Sequence, residues 1–181
     1  VDASGKPYHH GDLRRVLLEA AVEAIAERGA AALSLRDLAR RAGVSHAAPT
    51  HHFRDKAGLL TAVAVEGFAR LGAALSEARD FADAGVAYVM FAMTQPGYFA
   101  VMFRPELYHR YDPDVAAARA RTTEMLRAGA RAAFGDDDRV PALAAWSLVH
   151  GMATLIIDQA LELDPGTDVA TLARAAALRL R

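Results

Sequence analysis

Three histidines stand near the middle of the first third of the chain, at His46, His51 and His52, and clustered imidazoles are first candidates for a metal. Their i, i+5, i+6 spacing puts them on different faces of a helix, unlike the i, i+4 pair that metals prefer, and no carboxylate falls in register. Gly43-Val44-Ser45-His46-Ala47 has the letters of a hydrolase nucleophile elbow. That chemistry needs a strand-to-helix turn on a parallel sheet, and the chain has no strand pattern. Asp136-Asp137-Asp138 lacks the spaced ligands and closing Glu of a calcium loop, and reads as a solvated connection between helices. A second group lies between Val86 and Phe103, where Tyr88, Phe91, Tyr98, Phe99 and Phe103 accompany Met90, Met93 and Met102. Such side chains fill ordinary cores, and they also line adaptable apolar pockets.

Composition narrows the field. The chain has 181 residues, 53% of them hydrophobic, a formal net charge of −1 and no cysteine. Disulfides, thiolate catalysis, cysteine-ligated zinc and iron–sulfur clusters are excluded, and the length suffices for a core without staples. Charge is uneven. Residues 1–60 hold nine Lys/Arg and seven Asp/Glu, which is +2; the other 121 hold twelve and fifteen, which is −3. Five of the seven histidines also fall in the first sixty residues. The first eleven residues carry no apolar run of the secretory kind, which points to the cytoplasm. Residues 84–103 and 140–157 are free of charge, but Gln95-Pro96-Gly97 breaks the first and His150 sits within the second. Both read as core helices rather than membrane spans.

Alanine is abundant and period-2 alternation is absent, so the chain reads as all-α with about nine helices. Asp12 is placed to cap a first helix that ends at Gly29. Ser34 opens a second helix, with Asp37 as a shortened capping box, and Gly43 closes it. Ser45 is expected to cap a third helix running to about Phe53, and Asp55 a long fourth reaching about Ala78. Five more are expected, at roughly 80–95, 98–104, 114–134, 141–163 and 168–180, divided by Pro-, Gly- and Asp-rich breaks.

The segment 34–53, SLRDLARRAGVSHAAPTHHF, has two short amphipathic helices joined by a turn containing Gly, the helix-turn-helix pattern. A helix N-terminus with free N–H groups and short polar side chains suits a major groove. The run from Leu17 to Leu60 resembles the DNA-binding domain of the TetR family of transcriptional regulators. The resemblance rests on a helix ending in Gly, a loop of small residues, the Ala-Gly-Val-Ser turn, a Phe ending and the Lys that opens helix four. Tyr8-His9-His10-Gly11-Asp12-Leu13-Arg14 and Trp146…His150-Gly151 resemble a subgroup whose C-terminal domain is named for Trp, His and Gly. Two departures stand out. Thr50 occupies the usual place of a phosphate-gripping Tyr, and Pro49 predicts an irregular first turn or a late start for the third helix.

The resemblance implies a DNA-binding domain over residues 1–55 and a ligand-binding and dimerisation domain over 56–181. His46 and Ala47 would approach base edges after Ser45, with His51 at the groove or an adjacent phosphate. Arg36, Arg40, Thr50 and Lys56 would hold phosphates, and Tyr8, His9 and His10 would form an arm along the backbone. His52 is expected to pack behind the third helix. An apolar pocket would be lined by Phe68, Tyr88, Phe91, Tyr98, Met102, Tyr108, Trp146 and His150. The last two helices, rich in small residues, would pair across a two-fold axis so that two heads sit about 34 Å apart. The function implied is a cytoplasmic homodimeric regulator, a repressor released from a palindromic double-stranded DNA operator by a small apolar or aromatic effector, with no cofactor, metal or membrane. Two alternatives stand beside it: an all-α enzyme or carrier built on the aromatic cavity, and a regulator without a ligand.

Overall fold

The computed structural model describes residues 10–135 and 139–180, and these form nine α-helices with a terminal 3-10 turn and no strand. Helix α1 spans His10–Arg28, α2 Leu35–Arg41, α3 Ala47–Phe53 and α4 Lys56–Ser76. They are followed by α5 Phe81–Thr94, α6 Pro96–Met102, α7 Pro113–Phe134, α8 Arg139–Ile157 and α9 Val169–Ala177. Tyr8, His9 and the aspartates of the α7–α8 connection lie outside the described residues.

Short polar side chains start most of these helices by accepting from otherwise orphaned backbone N–H groups. The Asp37 N–H donates to Ser34 Oγ at 3.1 Å, and the Ser34 hydroxyl donates to the Asp37 carboxylate at 2.8 Å. Asp55 caps α4, Asp80 caps α5, Asp112 caps α7 ahead of Pro113, and Asp168 caps α9. Three expectations need correction. Asp12 is not a cap, because α1 already begins at His10. Ser45 is not a side-chain cap either: α3 begins at Ala47, after His46, and Ser45 contributes only its carbonyl, accepting from the Ala48 N–H at 3.0 Å. The late start is the one Pro49 predicts, since Pro cannot donate in the first turn and restricts the residue before it. Helix α8 ends at Ile157 rather than 163. Gln159 there adopts φ 55°, and the Ala160 N–H returns to the Leu155 carbonyl at 2.9 Å, a helix-closing turn made without glycine.

Helices α1–α3 form a compact head and α4 runs out of it into the body, where it packs on α5, α6 and α7. Helices α8 and α9 lie against α5 on the far side. One hydrophobic core runs through both parts, from Leu17, Ile25 and Leu38 in the head through Leu59, Val63 and Leu71 on α4 to Val89, Met102 and Val115. The helical stretch 84–103 is broken at Gln95 into α5 and α6. Helices α4 and α8 are each long and apolar enough, by length and composition, to cross a membrane. Half of α4's apolar window is buried in the bundle, against 22% for α8.

The head is joined to the body a second time, through α6. Gly97, in its first turn, is buried against α1 so closely that a β-carbon would overlap the Val22 carbonyl oxygen and come within 2.8 Å of Val22 Cγ1. Gly97→Ala is therefore expected to destabilise the protein by about 1–3 kcal/mol, read as a lowered urea midpoint. Gly72→Ala, whose added carbon meets nothing nearer than 3.8 Å, serves as the control. It should be neutral or stabilising by up to about 1 kcal/mol. Equal midpoints for the two variants would contradict the close α1–α6 contact.

Candidate DNA-reading face and effector cavity

The turn between α2 and α3 is closed by Gly43 at φ 66°, with the Val44 N–H bonded to the Ala39 carbonyl at 3.0 Å. Ala39 is fully buried at the crossing, and Val44 packs on the core. Beyond the turn, α3 has two unlike faces. Pro49 and Phe53 are buried, and the Arg14 guanidinium covers the Phe53 ring at 5.2 Å. Ser45, His46, Ala47, Thr50 and His51 are all exposed, and 47, 50 and 51 share one helical face. Arg36 and Arg40 flank them from α2, both exposed, with Arg40 held 3.2 Å from Asp37. His52 is half-buried, edge-on to His51 at 5.4 Å and near the Phe53 ring. Lys56 donates to the Ala31 carbonyl at 2.9 Å, tying the start of α4 to the α1–α2 loop. Among the described residues, no group of three His, Asp or Glu is placed to hold a metal.

The head is braced by contacts that spacing did not point to. Arg41 forks onto Glu27 at 2.6 and 2.7 Å and onto Glu23 at 3.2 Å, fixing α2 against α1. Arg54 links α3 to α4 at φ 68°, a conformation uncommon for a residue with a side chain.

The body holds a half-open cavity of about 890 Å³ between α4, α5, α7 and α8. Phe68, Tyr88, Met102, Tyr108 and Trp146 line it. Phe91, Tyr98 and His150 do not. Phe91 is buried in the shared core, and Tyr98 lies under the Arg70 guanidinium at 5.0 Å. His150 stands behind the wall, packed on Phe103 at 4.9 Å and Phe99 at 5.3 Å. Helix α7 supplies a whole wall that the sequence reading omitted, with Thr122, Met125, Leu126 and Gly129 at i, i+3, i+4 and i+7. That spacing was the available signal, masked by four arginines on the same helix.

A polar chain crosses the buried aromatics. Trp146 Nε1 donates to the Tyr88 oxygen at 3.2 Å, and that oxygen lies 2.8 Å from His150 Nδ1. The direction of the second bond follows the neutral imidazole's tautomer: with the proton on Nε2, Nδ1 accepts from the phenol, and with the proton on Nδ1 it donates to the same oxygen. Burial pushes the Tyr88 phenol well above its usual range, partly offset by the Trp146 bond, and burial holds His150 below its ordinary value. Both groups are thus neutral near pH 7.

These features define a helix-turn-helix DNA-binding regulator with a half-open cavity in its body. Residues 17–63 match the family model described as bacterial regulatory proteins of the tetR family, and residues 81–180 match the Tetracyclin repressor-like C-terminal domain. The chain belongs to the TetR family of transcriptional regulators, which are not enzymes. Membership implies operator DNA and dimerisation. Among solved structures, a Rhodococcus protein of unknown function is 37% identical over 97% of both chains, with a TM-score of 0.80. The TetR regulator PfmR of Thermus thermophilus is 25% identical over 91% of this chain and 96% of its own, with a TM-score of 0.71. The multidrug binding protein EbrR, at 23% identity over 92% and 93% and a TM-score of 0.59, shares the fold. No curated protein matches the chain significantly.

His150 gives this region a pH signature. Its folded pKa lies below the ordinary 6.5, so the unfolded chain takes up more protons between those two values. Its contribution to stability is complete above about pH 6.5 and falls as the pH drops through the folded value. The His150→Gln variant is expected to lose that part of the slope of unfolding free energy between pH 7 and 5. An unchanged slope would contradict a buried neutral imidazole.

Proposed function

We propose that the chain is a cytoplasmic homodimer that represses transcription from a palindromic operator and is released by a small apolar or aromatic effector. The observation that carries this reading is the exposed face of α3, where His46, Ala47, Thr50 and His51 stand clear of the core while Pro49 and Phe53 anchor the helix from behind. Residues 1–55 act as the DNA-binding domain and 56–181 as the sensing and dimerising one. His46 and Ala47 read base edges, while Arg36, Arg40, Thr50 and Lys56 hold phosphates. The Trp146, His150 and Gly151 set supports assignment to the Trp-His-Gly subgroup.

Apolar side chains left exposed on the last two helices support the dimer: Val140, Leu143 and Leu155 on α8 and Leu172 on α9. Pairing these helices across a two-fold axis buries them and gives α8 the cover that one chain does not supply. In the mechanism, an effector in the cavity displaces α6 and α4, and the heads lose the separation of two successive major grooves. The effector acts only through its stronger binding to the released state.

Selection from random duplexes by the purified protein, followed by titration at several salt concentrations, tests this reading. The expected result is a palindrome with half-sites about one helical turn apart. Arg40→Ala is expected to weaken binding to all sequences alike and to reduce the salt slope by about one unit. His46→Ala should relax preference at one position of each half-site. Weak, sequence-blind binding would overturn the reading in favour of a cavity protein whose head is structural.

A further inference from the structure

The hydroxyl and indole groups that face the cavity share one property: each is already hydrogen-bonded within the protein. The Tyr108 hydroxyl donates to the Met102 carbonyl at 3.0 Å. The Thr122 hydroxyl donates to the carbonyls of Ala118 at 3.2 Å and Phe68 at 3.3 Å, and Thr123 to that of Arg119 at 2.9 Å. The Trp146 N–H goes to Tyr88, whose oxygen is also hydrogen-bonded to His150 Nδ1. The Tyr108 and Thr122 oxygens keep free lone pairs and have no proton to offer. The charged residues of the lining are Arg79, Asp80 and Arg119. Arg79 and Arg119 are exposed, Arg79 is paired with Asp83, and Asp80 is paired with Arg174.

We propose, resting on the effector reading above, that this cavity selects uncharged, largely apolar molecules whose one polar group is a hydrogen-bond donor, a phenol or alcohol, seated on the oxygens of Tyr108 and Thr122. An ether or carbonyl oxygen placed against Tyr108 and Thr122 would meet two oxygens whose protons are already given to backbone carbonyls, and would lose its hydration without replacement there. A carboxylate or ammonium would lose its hydration on entering and gain at most an exposed, solvent-screened partner in Arg79, Arg119 or Asp80. The rings of Phe68, Phe103 and Trp146 suit a flat apolar body.

Trp146 is the chain's single tryptophan and lies in the cavity wall, so its fluorescence reports binding directly. Titrations with 4-cyclohexylphenol, its methyl ether, and the matching benzoate and benzylammonium keep the body constant while the head changes. The phenol is expected to bind about tenfold tighter than the ether, with both ions weaker still. Thr122→Val alone, which leaves the Tyr108 bond to Met102 intact, should reduce the preference to about threefold. Thr122→Val with Tyr108→Phe should abolish it. An ether or benzoate that binds as tightly as the phenol overturns the proposal, as does a preference that survives in the double variant. Failure of all four to bind overturns the proposal together with the effector reading. A phenol preference without release of the selected operator duplex upholds the proposal and sinks the effector reading alone.

Discussion

The close approach of α6 to α1 is the constraint on which the architecture turns. Gly97 brings two helix backbones together at Val22, and a single added carbon does not fit. That contact lets a seven-residue helix touch the head at its start and wall the cavity at its end with Met102, while Tyr98 and Met102 lie close over Gly67 of α4. Head and body are consequently two ends of one core rather than two cores on a linker. Interiors packed at this density transmit displacement instead of absorbing it.

Around that joint, polar groups are arranged so that nothing buried is left unpaired; among the described residues, no buried side-chain nitrogen or oxygen lacks a partner. The Trp146–Tyr88–His150 chain couples α8 to α5 through hydrogen bonds, and Arg174 couples α9 to α5 through Asp80 and Asp83. The helices proposed to form the dimer are thereby tied to the element that roofs the cavity. Satisfied polar contacts of this kind fix one register between helices, which an apolar interface alone does less well. The same satisfaction leaves the Tyr108 and Thr122 oxygens as acceptors in the cavity wall.

Local chemistry made much of the fold readable in the sequence. Ser34 and Asp55 each sit one residue before a helix and cap it, and the Ala-Gly-Val-Ser turn places α3 with its polar face outward. Pro49 announced the late start of α3. Where competing local signals exist, prediction was poorer: Asp12 is capable of capping but lies within α1, and Gln159 closes α8 without the glycine that usually marks such a turn. The cavity was legible only in part. Periodicity shows that Phe91 and Tyr98 are buried, but burial against α1 and α4 looks the same in sequence as burial against empty space. Helix α7 was missed for the opposite reason, since its Thr122–Met125–Gly129 stripe is modest beside its charged face.

The central claim is that cavity and head are mechanically one body, and the separation of the two heads in the dimer measures it most directly. The chain has no cysteine, so Ala47→Cys places one spin label on the exposed face of each α3 without further substitution. Pulsed electron paramagnetic resonance distances would be recorded on the operator-bound dimer, on the free dimer, and with 4-cyclohexylphenol at saturation. The account predicts that operator-bound heads hold the spacing of one DNA turn, about 34 Å between recognition helices, and that the ligand moves the distribution away from it. An unchanged distribution with the cavity filled would contradict the account.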